Sequence, residues 1–191
     1  MSAAGRGAKR APYDYYPTPE WAVEALAANM GTDAAMPHLL KWGEPCAGDG
    51  AIIRAMWRAQ RVEPRQWEWA EIREGLDYLG GDNFERQPVT EGSRITLRQV
   101  DAIITNPPFS IAREFVEQSQ KEADFVAYLL RLNFLGGQCR REFWQDNAPT
   151  HLYPLSKRPS FTGKGTDATD YAWFVWDRLG LMRQAPGIYV L

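Results

Sequence analysis

The chain has 191 residues, 45% of them hydrophobic and 8 of them Trp, which suits one domain, or one domain with a small appendage. Two cysteines, Cys46 and Cys139, exclude a disulfide framework and point to a reducing compartment, and two isolated histidines, His38 and His151, offer no metal-ligand spacing. A formal net charge of −2 neither demands nor excludes a polyanionic partner, and with no apolar leader and no run long enough to span a bilayer, the expectation is a cytoplasmic protein without a membrane partner.

Residues 1–12, MSAAGRGAKRAP, carry Arg6, Lys9 and Arg10 and no acid, and read as a flexible basic arm ahead of a single domain over 13–191. In TPEWAVEALAANM (18–30), Thr18 is the expected N-cap and Pro19 the first helical residue, with Trp21, Val23, Ala25 and Leu26 as apolar positions. LLKWGEPCAGDG (39–50) reads as a short strand running into a glycine turn, and AIIRAMWRAQR (51–61) as the helix that follows. WEWAEI (67–72) is a second strand; residues 73–99 are loop-rich, with a short strand at RITLRQ (94–99). Then come a strand, DAIIT (101–105), the turn NPPFS (106–110), a helix, IAREFVEQSQKEA (111–123), and a strand, DFVAYLLRLNFL (124–135). The helix QCRREFWQDN (138–147), the strand THLYPL (150–155), a polar glycine loop, RPSFTGKGTDATD (158–170), and the strand YAWFVWD (171–177) complete the order. Strands alternating with helices imply a parallel α/β sheet, with the last two strands an antiparallel pair at one edge. In such sheets ligands sit beyond the C-terminal strand ends, where EPCAGDG, AEIRE and NPPF all fall.

In EPCAGDG (44–50), Gly48 and Gly50 permit a tight turn and close approach of backbone N–H groups to a ligand. The run lacks the third glycine of a dinucleotide fingerprint and the lysine of a triphosphate loop. Glu44 would repel a phosphate and suits a cationic ligand such as the amino group of an amino acid. Glu71, at the end of the second strand, can accept both hydroxyls of a ribose. Asp82 in GGDNF can receive the amino group of an adenine ring, with Asp77 the competing choice. In NPPF, the Asn106 carboxamide oxygen and the Pro107 carbonyl are both acceptors on a platform stiffened by Pro107 and Pro108, able to point at one amino group with Phe109 beside it. A basic run from Arg131 through Arg140, Arg141, Lys157 and Arg158 to Lys164, opposed by Glu142 and Asp146, is a candidate polyanion-binding face.

The order YYPTP, EPCAGDG, AEI, GGDNF, TNPPF and RPSF…YAWFVW, over residues 13–176, resembles the S-adenosylmethionine-dependent amino-methyltransferases. Within them it is most similar to the small DNA adenine-N6 methyltransferases of phages and prophages. The resemblance implies a Rossmann-like class I methyltransferase fold: an α/β, mostly parallel seven-stranded sheet with one antiparallel edge strand. It implies S-adenosyl-L-methionine as cofactor, with Tyr16 and Thr18 closing over the methionine part. Glu44, Cys46, Ala47, Gly48 and Gly50 would form the cofactor loop, with Glu71 on the ribose and Asp82 on the adenine. Asn106, Pro107, Pro108 and Phe109 match the catalytic motif, acting on an adenine turned out of DNA. Arg140, Arg141, Lys157, Arg158, Phe161, Lys164 and Tyr171 are the expected substrate contacts; Trp173 is placed equally well in an aromatic wall near the base or in the core. With no length left for a separate recognition domain, sequence recognition would be short, or come from residues 136–168, a homodimer or a partner subunit. The competing readings are an RNA amino-methyltransferase acting on adenine N6 or guanine N2, a protein glutamine methyltransferase, and a non-catalytic cofactor- or DNA-binding partner subunit.

Overall fold

The computed structural model describes residues 16–31, 40–71, 100–161 and 165–191. The basic arm, Asp77, Asp82, the strand expected at 94–99 and Lys164 lie outside the described residues.

Short apolar runs form the strands, and the central ones are buried on both faces, whereas the edge strands are only partly covered. The elements are α1 (Glu20–Ala28), β1 (Trp42–Glu44), α2 (Ala51–Gln60), β2 (Trp67–Trp69), β3 (Ala102–Thr105), α3 (Ala112–Glu122), β4 (Phe125–Arg131), α4 (Arg141–Asp146), β5 (His151–Pro154), β6 (Tyr171–Asp177) and β7 (Gly187–Ile188). They build one seven-stranded sheet in the order β2-β1-β3-β4-β6-β5-β7. β2, β1, β3 and β4 run parallel, β6 runs antiparallel to both of its neighbours, and β7 is parallel to β5.

Alternation along the two longest strands divides the core. Phe125, Ala127 and Leu129 of β4 and Tyr171, Trp173 and Val175 of β6 pack with Val23 and Leu26 of α1 and Ile52 and Met56 of α2. Val126, Tyr128 and Leu130, with Ala172, Phe174 and Trp176, face the other way onto Phe115 and Val116 of α3 and Phe143 of α4. Helices therefore cover both faces, as a parallel sheet requires. Two buried indoles are satisfied by backbone carbonyls: Trp173 Nε1 donates to Ala22 O (2.8 Å), and Trp176 Nε1 to Asn147 O (2.8 Å).

Local boundaries differ from the sequence reading for definable reasons. Pro19, not Thr18, is the N-cap of α1; its extended backbone (φ −65°, ψ 126°) keeps it out of the helix, and no side chain caps the end. β2 stops at Trp69, although Ala70 still donates to Glu44 O (3.0 Å). β4 stops at Arg131 because Leu132–Leu135 close into a 3-10 turn, although Leu132 N–H still donates to Asp170 O (2.8 Å), the next position of the β4–β6 register. Residues 138–147 split into a 3-10 turn (Gln138–Arg140) and the short α4. β5 and β6 pair as expected, and β7, a two-residue strand with no alternation to betray it, lies outside them. The single reversed strand, β6, is thus flanked by β4 and β5.

Candidate functional site

Parallel strands deliver their C-terminal ends to one rim of the sheet, and that rim collects Glu44 at the end of β1, Glu71 after β2, Asn106 after β3 and Arg131 at the end of β4. β6 begins there with Tyr171, opposite Arg131 in register.

The turn between β1 and α2 is drawn tight by two left-handed glycines, Gly48 (φ 58°) and Gly50 (φ 79°), the second capping α2. Ala47 N–H donates to Ala70 O (2.9 Å), tying the turn to the end of β2, and Gly50 N–H returns to Ala47 O (2.7 Å). Gly48 N–H donates to Glu71 Oε2 at 2.8 Å, which brings the turn glycine and the strand-end carboxylate together. Glu71 is buried; Cys46, Ala47, Gly48 and Gly50 are half-buried.

Glu44 is 1% exposed. Its Oε1 accepts from the Thr105 hydroxyl and from Cys46 N–H (3.3 Å), while Oε2 has no partner among the described residues. Burial pushes its carboxyl up to about 8, and the nearby Glu71 adds to this, against the lowering effect of the Thr105 and Cys46 hydrogen bonds. A carboxyl with one oxygen held and the other buried and unpaired is poised to receive a cationic donor.

Thr105, fully buried, is the last residue of β3, so the same hydroxyl that holds Glu44 fixes the start of the Asn106-Pro107-Pro108-Phe109 turn. Asn106 Nδ2 donates to Tyr16 O (2.9 Å), and its Oδ1 is buried with no partner among the described residues. Pro107 is buried and Pro108 half-buried; Ile111 N–H closes onto Pro108 O (3.2 Å), so Phe109 opens a 3-10 turn leading into α3.

Phe109 sits in an aromatic cluster. Tyr16 stacks on it (centroids 5.6 Å, 21° between planes), Tyr171 is tilted against it (5.6 Å), and Phe161 meets Tyr16 and Tyr171 edge-on (5.6 and 5.1 Å). Tyr171 is 1% exposed and so backs the cluster rather than fronting it; Trp173, one of the largest buried side chains, belongs to the core. Thr18 is half-buried beside Tyr16 in the chain.

The basic residues follow the same rim with unequal freedom. The Arg140 guanidinium lies over Phe134 (4.8 Å) and Nη1 donates to Gly136 O (2.6 Å); Arg141 is exposed at the start of α4. Lys157 Nζ stands 4.3 Å above the Trp21 ring, and Arg158 Nε donates to Asp170 Oδ1 at 2.7 Å. Two residues of the site were not expected in these roles: Thr105, which the sequence reading passed over, and Arg131, read there only as the start of the basic run, whose guanidinium lies 4.8 Å over Phe109. The readable signal for both is position, since each polar group ends a buried strand at the C-terminal rim of the sheet. Among the described residues no group of His, Cys, Asp and Glu is placed to hold a metal ion, and no helix is long and apolar enough to cross a membrane.

No protein-family model matches the chain, and no curated protein matches its sequence. Solved structures do match. The methyltransferase subunit of a type I restriction-modification system from Streptococcus thermophilus superposes with a TM-score of 0.55 at 13% identity, over 92% of this chain and 47% of that one. The modification subunit of a proposed type I restriction enzyme from Vibrio vulnificus YJ016 gives 0.56 at 16%, over 98% and 48%. A protein proposed as an RNA methyltransferase from Pyrococcus horikoshii gives 0.51 at 17%, over 87% of both chains. The chain thus spans about half the length of the two type I subunits. The likeness at these identities is one of fold, and with the sheet order and its one reversed strand the architecture is the Rossmann-like methyltransferase fold.

Proposed function

We propose that the chain transfers a methyl group from S-adenosylmethionine to the exocyclic N6 amine of adenine in DNA, as a single catalytic domain over residues 13–191. The observation that carries this reading is Asn106, whose amide nitrogen is fixed on Tyr16 O while its buried oxygen lacks a partner among the described residues. Leaving a buried acceptor unpaired costs about 1–3 kcal/mol, and folded proteins retain few such groups without a use for them. An amine donor is the complement this oxygen calls for.

An amino group conjugated to a heteroaromatic ring is a weak nucleophile, because its lone pair is delocalised. Asn106 Oδ1 and the Pro107 carbonyl oxygen would each accept one N–H, drawing the nitrogen toward tetrahedral geometry and freeing the lone pair. The same two oxygens stabilise the positive charge that develops on the nitrogen, and their rigidity means no reorganisation at the moment of transfer. Phe109 offers an aromatic surface to a base turned out of its stack. S-adenosylmethionine supplies the electrophilic methyl group. This chain's residues fit it: the unpaired Glu44 Oε2 suits an ammonium, the Glu71 carboxylate suits ribose hydroxyls, and Gly48 and Gly50 let the backbone come close. In this reading Tyr16, Thr18, Cys46 and Ala47 complete the cofactor's surroundings, with Asp82 or Asp77 on its adenine. Arg140, Arg141, Lys157, Arg158 and Lys164 serve the nucleic acid, the buried Phe161 and Tyr171 support the Phe109 ring from behind instead of meeting the substrate, and a second copy or a partner subunit adds target recognition.

Restriction-modification subunits among the structures of like fold favour DNA. A second reading, RNA amino-methylation, is favoured by the Pyrococcus horikoshii protein, which alone of the three is matched over most of its own length. Labelled S-adenosylmethionine offered with separate pools of DNA, RNA and protein, followed by nucleoside analysis, tells them apart. The expected product is N6-methyldeoxyadenosine; label in RNA installs the second reading, and label in none removes both. Asn106→Ala should lower the rate about 10²–10³-fold, the scale of losing one fixed charge-stabilising group. Affinity for S-adenosylhomocysteine should stay unchanged in calorimetry, and a variant near full activity would take Asn106 out of the mechanism.

A further inference from the structure

Arg131 belongs to none of the motifs, yet it ends β4 on the rim and lies against the motif's aromatic ring, 4.8 Å from Cζ to the Phe109 centroid. It is tethered there. Its Nε donates to the Tyr171 hydroxyl (3.1 Å), and that hydroxyl donates to Asp167 Oδ2 (2.9 Å). Asp167 is fixed in turn, by Thr169 N–H on Oδ1 (3.0 Å) and by its own N–H on Pro159 O (2.9 Å). Burial raises the Tyr171 phenol above its ordinary value, so it stays a neutral hydroxyl with one proton for Asp167 and a lone pair for Arg131. Donor and acceptor directions therefore agree along the whole chain of contacts.

Phe109 needs such a device. It is half-buried and opens a 3-10 turn, and beyond its packing on the two core clusters it meets Tyr16, Tyr171 and Phe161 ring against ring, contacts that do not by themselves fix the ring's angle. Charge attraction alone does not explain the arrangement. Arg131 Nη2 and Asp167 Oδ2 are 4.0 Å apart and both side chains reach solvent, a pair of little strength. A guanidinium that lies over a ring while its Nε is held by a hydroxyl is something a lysine cannot reproduce.

We propose that Arg131 is a positioning residue for Phe109: Asp167 and Tyr171 hold its guanidinium plane on the ring and so set the ring's attitude beside the Asn106 amide. The proposal rests on the reading of the Asn106–Phe109 turn as the acceptor site. Arg131 acts through Phe109 and touches no reacting atom.

The test is Arg131→Lys, which keeps the charge, beside Tyr171→Phe, which keeps the ring and removes the tether. With an adenine-containing oligonucleotide, Arg131→Lys should lower kcat about tenfold, the rate equivalent of one lost stacking contact, with KM, S-adenosylhomocysteine affinity and melting temperature little changed. Tyr171→Phe should lower kcat in the same sense by a smaller factor. A purely structural role would instead move the melting temperature and leave lysine able to rescue kcat. Solution NMR reads the contact without turnover: the Arg131 Nε–H resonance should be protected from exchange and ring-current shifted, losing protection in Tyr171→Phe and the shift in Phe109→Leu. An Nε–H signal indifferent to Phe109→Leu, or Arg131→Lys at wild-type kcat, overturns the proposal. Should the wild-type protein methylate no nucleic acid, the acceptor-site reading falls, and the NMR pair still decides whether Arg131 holds Phe109.

Discussion

Glu44 carries the largest electrostatic cost among the described carboxylates, and its pH dependence has a definite sign. In the unfolded chain it titrates near 4.5; in the fold burial, reinforced by Glu71, moves it to about 8. Between those values the native protein holds a proton the unfolded chain has lost, so Glu44 erodes stability as pH rises through that window and no further above it. Glu44→Gln keeps an oxygen for Thr105 and Cys46 and removes the titration. The variant should equal the parent near pH 5 and exceed it at pH 8.5 by on the order of 2–4 kcal/mol in urea denaturation. In the proposed role the same variant binds S-adenosylhomocysteine more weakly, an exchange of stability for function. Matching pH profiles for the two proteins would mean that Glu44 is solvated. The carboxylates and the Asn106-Pro-Pro-Phe run were legible in the sequence because residue type announces them. The Thr105 hydroxyl was not, because a threonine at a strand end usually reports only β-propensity, and its link to Glu44 spans 61 positions.

Elements show why the rim was easier to read than the boundaries. The glycine turn was expected between a strand and a helix, and its two left-handed glycines lie there, Gly50 capping α2. A Cβ at Gly50 would meet only Arg54 Nη1 at 3.5 Å, so space is not the obstacle; the φ of 79° is. Gly50→Ala should therefore cost about 1–2 kcal/mol of stability, the price of a left-handed conformation for an L side chain. A loss under a few tenths, measured by denaturant titration, would show that the turn relaxes instead. Ends of elements were less legible because partners far along the chain decide them. β4 stops where Leu132 opens a 3-10 turn, α1 starts where Pro19 stays extended, and β7 exists because Gly187 and Tyr189 donate to Thr150 and Leu152 of the β5 segment. No local pattern in Pro186-Gly187-Ile188 announces a strand.

At the scale of the whole molecule, the question is how a nucleic acid would be held. Strand direction places Lys157 and Arg158 just beyond β5, on the rim that carries Asn106 and Arg131, and the turn holding Arg140 leaves β4 from that same rim. These cations are not equivalent. Arg158 is paired with Asp170, whereas Arg141 is exposed and Arg140 and Lys157 are propped on the Phe134 and Trp21 rings, with no ion pair to either among the described residues. Cations of this kind meet phosphates, which supply affinity and little sequence information. Under the proposed function, binding should be steeply salt-dependent and methylation should extend to short sites of a few base pairs. Glutamate substitutions at Arg140, Arg141 and Lys157 should weaken binding to all DNA sequences alike, each lost phosphate contact reducing the salt slope by about 1. The same change at Arg158 should matter less, because its charge is already answered by Asp170. Fluorescence-anisotropy titrations across salt concentrations measure the slopes, and methylation-sensitive sequencing of treated genomic DNA measures the sites. Modification confined to one long fixed motif, or charge reversals that weaken only one sequence, would mean that base-reading contacts rather than this rim govern recognition.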